Sequence, residues 1–225
     1  MVPEILRTKN LACDAVALIK RAADEAIFQR GEFRIGLSGG STPRPVYEAL
    51  ARSQDAWEGW VFTFGDERCV PPDHPESNYR MVRETLLDHK PVPQQNILRI
   101  RGEEHPRVAA AEYEQDLRRS CRNAEIYRHD FLLLGMGEDG HTASLFPGTD
   151  ALAATSWVAP NFVPRLNSWR ITLTLPILNA ARHVCFLVKT AGKEEMLKKV
   201  LAGDLAFPAA RVRPEDGNLT WLIAD

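Results

Sequence analysis

Sulfur is scarce and scattered. Cys13, Cys69, Cys121 and Cys185 are the only four cysteines, and no two form a CxxC pair. This excludes a thioredoxin-like redox motif and a disulfide-stapled scaffold, and predicts reduced thiols in a cytoplasmic protein. The six histidines have neither HExxH nor HxxxH spacing, so no zinc site is expected. No apolar run reaches the roughly 18 residues of a membrane span, and the N-terminus lacks the apolar centre of a signal peptide. An excess of one charge is missing as well: 28 Lys and Arg oppose 30 Asp and Glu, for a net of -2. Bulk attraction to nucleic acid or an acidic membrane is therefore not expected, although a few local cations suffice for a small anion. There is no low-complexity segment and no repeat of fixed period.

What is present is an alternation of strand-like and helix-like segments. The 225 residues are 44% hydrophobic and 26% charged, enough apolar material for a sizeable core. Asn10 to Arg30 has helical periodicity, with Gly31 as a stop. Phe33 to Ser38 reads as a strand. Thr42 then reads as an N-cap before Pro43, opening a helix through Arg52. Trp60 to Phe64 is a strand, and Ser77 caps a helix over Asn78 to Asp88. Asn96 to Ile100 reads as a strand, and Arg107 to Arg122 as a helix. Phe131 to Leu134 is an apolar strand, followed by a glycine loop and a short helix from about Thr142. The stretch 145–168, with three prolines, reads as a long loop. Strands over Ile171 to Leu175, Val184 to Val188 and Leu219 to Ile223 follow, with a helix over Lys193 to Leu201. This order predicts one α/β domain over residues 1–225, a mostly parallel, doubly wound sheet with helices on both faces.

In such folds ligands bind beyond the carboxyl ends of strands, and the polar residues there are the candidates for chemistry. Gly36-Leu37-Ser38-Gly39-Gly40-Ser41-Thr42-Pro43 combines backbone N–H groups that can approach an anion with two hydroxyls and a helix start. The alternative is a tight strand-to-helix turn. Gly36-x-Ser38-x-Gly40 also fits a nucleophile elbow, with Asp139 and His141 in the right chain order. Those two are close neighbours on one loop, however, whereas the acid and base of a triad normally come from different loops. Gly65-Asp66-Glu67-Arg68 puts three charges at a strand end. Arg68 suits either a bound carboxylate or phosphate, or an internal salt bridge to Asp66 or Glu67.

Gly135-x-Gly137-x-x-Gly140 matches the dinucleotide fingerprint, but no acid follows at the ribose distance: after Asp150 the next is Glu194. No dinucleotide is expected. His141, beside Asp139 on that loop, is the proton carrier best matched to neutral pH. Arg170 at a strand start and Lys193 at a helix start are ordinarily solvated, yet together with the first loop they can form an anion pocket.

These segments carry a resemblance. GLSGGSTP (Gly36 to Pro43), GDER with VPPDHPESN (Gly65 to Asn78), LGMGEDGHTASLFPGT (Leu134 to Thr149) and RITLTLP (Arg170 to Pro176) together resemble the glucosamine-6-phosphate isomerase/6-phosphogluconolactonase family, in the family's order and over almost the whole chain. Thr142-Ala143-Ser144-Leu145-Phe146-Pro147 after His141 resembles the lactonase branch; the deaminases typically carry an Ile-Ala-Phe-Asn-Glu-Pro type of sequence there.

The resemblance implies a NagB/ribose-5-phosphate-isomerase-like fold. It also implies hydrolysis of 6-phospho-D-glucono-1,5-lactone in the oxidative pentose phosphate pathway, by a histidine-activated water, without cofactor, metal or covalent intermediate. On this reading His141 is the catalytic base, Asp139 its loop partner and Arg68 an active-site cation. Gly39, Gly40, Ser41, Thr42, Arg170 and Lys193 become the phosphate site, with the choice among Arg165, Arg170 and Lys193 left open. The implied partner is a small sugar-phosphate lactone, bound by a monomer or weak homodimer. The rivals are a sugar-phosphate isomerase or deaminase and a non-enzymatic sugar-phosphate sensor; no helix-turn-helix or basic extension supports the last.

Overall fold

The computed structural model describes residues 2–53, 57–121 and 124–224. Apolar strands associate edge to edge where helices can cover them. The described chain reads β1 (Glu4–Thr8), α1 (Leu11–Arg30), β2 (Phe33–Leu37), α2 (Arg44–Leu50), β3 (Trp60–Phe64), β4 (Asp66–Arg68), α3 (Asn78–Thr85) and α4 (Pro106–Ser120). It continues β5 (Phe131–Gly135), β6 (Val158–Val163), β7 (Ser168–Leu173), α5 (Leu175–Asn179), β8 (His183–Lys189), α6 (Glu194–Leu201) and β9 (Asn218–Ala224).

Six strands form a wholly parallel sheet in the order β1-β9-β8-β5-β2-β3. From β2 the chain moves outward through α2 to β3, whereas after β5 it moves the other way, to β8 and β9. Right-handed crossovers in opposite directions put their helices on opposite faces. α1 and α2 pack together, as crossovers running in one direction should. The order reverses between β2 and β5, which makes the crevice above their carboxyl ends the place for a ligand.

Burial explains the strands. Phe131, Leu132, Leu133 and Leu134 are all fully buried, as expected of a central parallel strand covered on both faces. α1 buries Leu11, Ala15, Leu18, Ile19, Ala23 and Ala26, one stripe at helical spacing. Its ends follow the sequence: Asn10 accepts from the Cys13 N–H, and Gly31 closes in the left-handed region at φ 76°. No described helix is long and apolar enough to cross a membrane.

A second, antiparallel sheet, β4-β7-β6, stands beside the first, and the sequence reading departs from it as follows. The predicted 145–168 loop contains β6. Pro160 argued against a strand, but β6 is an edge that pairs with β7 alone, where a proline is tolerated. The predicted Ile171 to Leu175 strand ends at Leu173, because Leu175-Pro176 opens α5.

Other boundaries also move. Asn96 to Ile100 is not a strand: a 3-10 turn covers Gln94–Asn96, and only Ile97 bridges to Phe62. Thr42 is not a cap; α2 starts after Pro43, without a side-chain cap bond, and ends at Leu50. The helix after Ser77 ends at Thr85, short of Asp88. The helix expected over Arg107 to Arg122 spans Pro106–Ser120, and Arg122 lies outside the described residues.

No helix starts at Thr142. Thr142 and Leu145 form a two-residue bridge around Ala143 at φ 45°. The Thr142 hydroxyl donates to Gly135 O (2.8 Å) and the Ser144 hydroxyl to Asp66 Oδ2 (2.5 Å). Short polar side chains compete in this way with helical backbone bonds.

Candidate active site

At the sheet's reversal point lies a cleft of about 250 Å³. Its first wall is the loop after β2. Buried Tyr47 fixes that loop's start: its phenol donates to Ser38 O (2.8 Å) and accepts from the Ser38 N–H (3.0 Å). A Cβ at Gly39 would lie 1.8 Å from Asn78 Oδ1, so only glycine lets α3 approach here. Among the described residues the N–H groups of Gly39, Gly40, Ser41 and Thr42 have no backbone partner. All four residues line the cleft, as an anion-binding loop requires.

The second wall is β4. Glu67 is 2% exposed and collects four donors: the N–H groups of Arg68, Asn78 and Tyr79 and the Ser77 hydroxyl, at 2.7–3.0 Å. Burial pushes its carboxyl pKa up, against those N–H groups. It is the anchor for the start of α3. Asp66 accepts from Asn78 Nδ2 and from the Ser144 hydroxyl. Arg68 therefore has no internal salt bridge to either acid. Its Nη1 donates to Glu76 O (2.8 Å), and its buried Nε is unpartnered among the described residues. Arg68 lines the cleft; Arg170 does not, but sits opposite Arg68 in the β4–β7 register. Burial, then the charge of Arg68, lowers the Arg170 pKa.

The floor is the loop after β5. It folds tightly on itself, with the Gly137 N–H on His141 O (2.9 Å) and the Gly140 N–H on Gly137 O (3.1 Å). A Cβ at Gly137 would lie 2.0 Å from His141 Nδ1, so this glycine makes the seat for the ring. His141 Nδ1 lies 2.5 Å from Asp139 Oδ1, and the ring stacks on Phe146 at 4.2 Å. Burial tends to raise the Asp139 pKa, but the hydrogen bonds and charge of His141, with Arg165, outweigh it and hold the carboxyl below its usual value. An ionised carboxylate only accepts, so Nδ1 carries the hydrogen of this pair, and in the neutral ring Nε2 is the acceptor. Lys193 closes the cleft, its Nζ donating to Met136 O (2.6 Å).

The fold thus brings Gly39, Gly40, Ser41, Thr42, Arg68, His141 and Lys193 to one cleft. Asp139 stands behind His141, and Arg170 beside Arg68. Ser38, Asp66 and Asn78 also line the cleft and were not singled out as ligand contacts; their signal was membership of the same strand-end motifs. The Ser38 hydroxyl is buried with no partner among the described residues, so no base is in reach to make it a nucleophile.

Comparison with known proteins shows the family and the fold. Residues 7–221 match the family model for glucosamine-6-phosphate isomerases/6-phosphogluconolactonase. A 6-phosphogluconolactonase of Nostoc sp. is 42% identical over 96% of this chain and 95% of its own. The Homo sapiens 6-phosphogluconolactonase is 39% identical over 93% and 84%. Among solved structures, 6-phosphogluconolactonase from Thermotoga maritima superposes with a TM-score of 0.89 at 28% identity, covering 99% of this chain and all (100%) of that one. That from Trypanosoma brucei gives 0.85 at 27% identity, covering 99% and 96%.

The chain belongs to the glucosamine-6-phosphate isomerase/6-phosphogluconolactonase family. Within it, the chain is an enzyme of the lactonase branch, a hydrolase.

Proposed function

We propose that the chain hydrolyses 6-phospho-D-glucono-1,5-lactone to 6-phospho-D-gluconate, the second step of the oxidative pentose phosphate pathway. The observation that carries this reading is the Asp139–His141 pair on the floor of a cleft whose wall, Gly39 to Thr42, presents N–H groups without backbone partners among the described residues. His141 Nε2 takes a proton from water as its oxygen attacks C1, and the carbonyl oxygen becomes an oxyanion. The C1–ring oxygen bond then breaks, and the imidazolium returns its proton to the departing oxygen. Acid–base work of this kind contributes roughly 10²–10⁴-fold. Arg68 faces the oxyanion, for roughly 10²–10³-fold.

The phosphate is the non-reacting handle, and its binding holds the ring in place. It sits on the Gly39 to Thr42 loop with Lys193 and Arg170. A lactone carbonyl is already activated, so no step is routed through a metal or an acyl-enzyme. Four free thiols support a cytoplasmic location.

The test is a coupled assay. Glucose-6-phosphate dehydrogenase generates the lactone in situ, and 6-phosphogluconate dehydrogenase consumes the acid. Turnover above the spontaneous rate is expected. A rate equal to the blank, with ammonia released from glucosamine 6-phosphate instead, would overturn the reading.

A further inference from the structure

Arg165 lies on the 3-10 turn Pro164–Leu166, at the tip of the β6–β7 hairpin. Its Nη2 is 2.9 Å from Asp139 Oδ2, while the other oxygen of Asp139 holds His141 Nδ1 at 2.5 Å. Its guanidinium carbon lies 4.9 Å from the centroid of Phe146, the ring on which His141 stacks. Arg165 reaches the proton carrier by two routes, one through the carboxylate and one through the aromatic ring. It is not among the residues that line the cleft.

We propose that Arg165 is a positioning residue for His141 and not a phosphate ligand. A carboxylate gripped at one oxygen can turn about its terminal torsion, which is broad and two-fold. Gripped at both, it presents Oδ1 to Nδ1 in one orientation and keeps the hydrogen off Nε2. The planar fork of arginine is suited to this, and the Phe146 face gives it a second support. The catalytic pair sits on the parallel sheet and its clamp on the antiparallel one.

The inference rests on the lactonase reading, so turnover by the unmodified chain is measured first, and its absence would overturn that reading alone. Given turnover, Arg165→Ala is expected to lower kcat roughly ten- to a hundred-fold, as a misplaced catalytic group does, with KM changed less than about twofold. Arg165→Lys restores most of kcat, since an ammonium still pairs with the carboxylate. In an Asp139→Asn background, Arg165→Ala changes kcat less than about twofold, because the two act as a unit.

Three results would overturn the proposal: a raised KM with kcat retained, which is the signature of a phosphate ligand; an unchanged kcat; or the full loss persisting in the Asp139→Asn background. Arg165 is on an exposed turn with its side chain 54% exposed, so the variant should fold, and its thermal midpoint serves as the control.

Discussion

Arg68 and Arg170 are direct Cα partners across an antiparallel strand pair, and neither forms an ion pair among the described residues. Two guanidinium side chains are opposed there, and the pKa of Arg170 is lowered first by burial and then by the charge of Arg68. On the proposed reading their mutual repulsion is relieved when substrate brings the phosphate to Arg170 and the developing oxyanion to Arg68.

It follows that Arg170→Met should raise KM for the lactone roughly ten- to a hundred-fold, the loss of about 1.5–3 kcal/mol from one charged hydrogen bond. The same change removes a repulsion, so the ligand-free protein should melt no lower than the wild type. Calorimetry with and without 6-phosphogluconate checks both. An unchanged KM would take Arg170 out of the phosphate site.

For His141→Ala, kcat should fall roughly 10²–10⁴-fold while 6-phosphogluconate still binds, as titration calorimetry would show. Ser38→Ala should keep its turnover. An acyl adduct on Ser38, found by mass spectrometry, would replace the water mechanism with a covalent one.

Gly137→Ala puts a methyl where the His141 ring now sits. The ring must move by an ångström or more, and kcat should drop about 10²-fold with KM nearly constant. A crystal structure of the variant with His141 unmoved would contradict this.

A buried histidine remote from any proposed chemistry gives a pH prediction. His129 is fully buried, with Nε2 2.9 Å from the Thr63 hydroxyl, and burial pushes its pKa from 6.5 to about 3. Between those values the unfolded chain takes up a proton that the folded chain refuses. Stability should therefore fall as pH drops from about 6.5 towards 3, by up to about 1.36 kcal/mol per unit from this group. His129→Gln should flatten that slope. Parallel urea titrations at pH 7, 6 and 5 measure the difference, and identical slopes would reject the assignment.

Five of the six parallel strands were legible because they are short, largely apolar runs; the edge strand β1, Glu4–Thr8, was missed because it is mostly exposed and carries charge. Phe131 to Leu134 and Trp60 to Phe64 needed almost no revision. Of the antiparallel sheet only β7 was legible. β4 has three residues, all charged, and β6 contains a proline; neither resembles a strand until its partner β7 is known. The candidate site followed the same division. His141 and the Gly39 to Thr42 loop were visible as motifs, whereas the clamp on Asp139 depends on a hairpin that sequence periodicity did not reveal. The helix expected from Thr142 failed because side-chain hydroxyls took bonds across the fold, an arrangement that local pattern cannot register.

Three of the bonds across the fold meet at Ser144. Ser144 donates its N–H to the Thr172 hydroxyl (3.1 Å) and its own hydroxyl to Asp66, and its carbonyl accepts from Asn161 Nδ2 (2.7 Å). Each partner belongs to a different strand of the antiparallel sheet, while Ser144 follows the histidine loop of the parallel one. A single residue, through its N–H, its carbonyl and its hydroxyl, therefore ties the histidine loop to all three strands of the antiparallel sheet. A change at that one residue is felt by both sides of the cleft at once, by the loop that carries His141 and by the strands that carry Arg68 and Arg170.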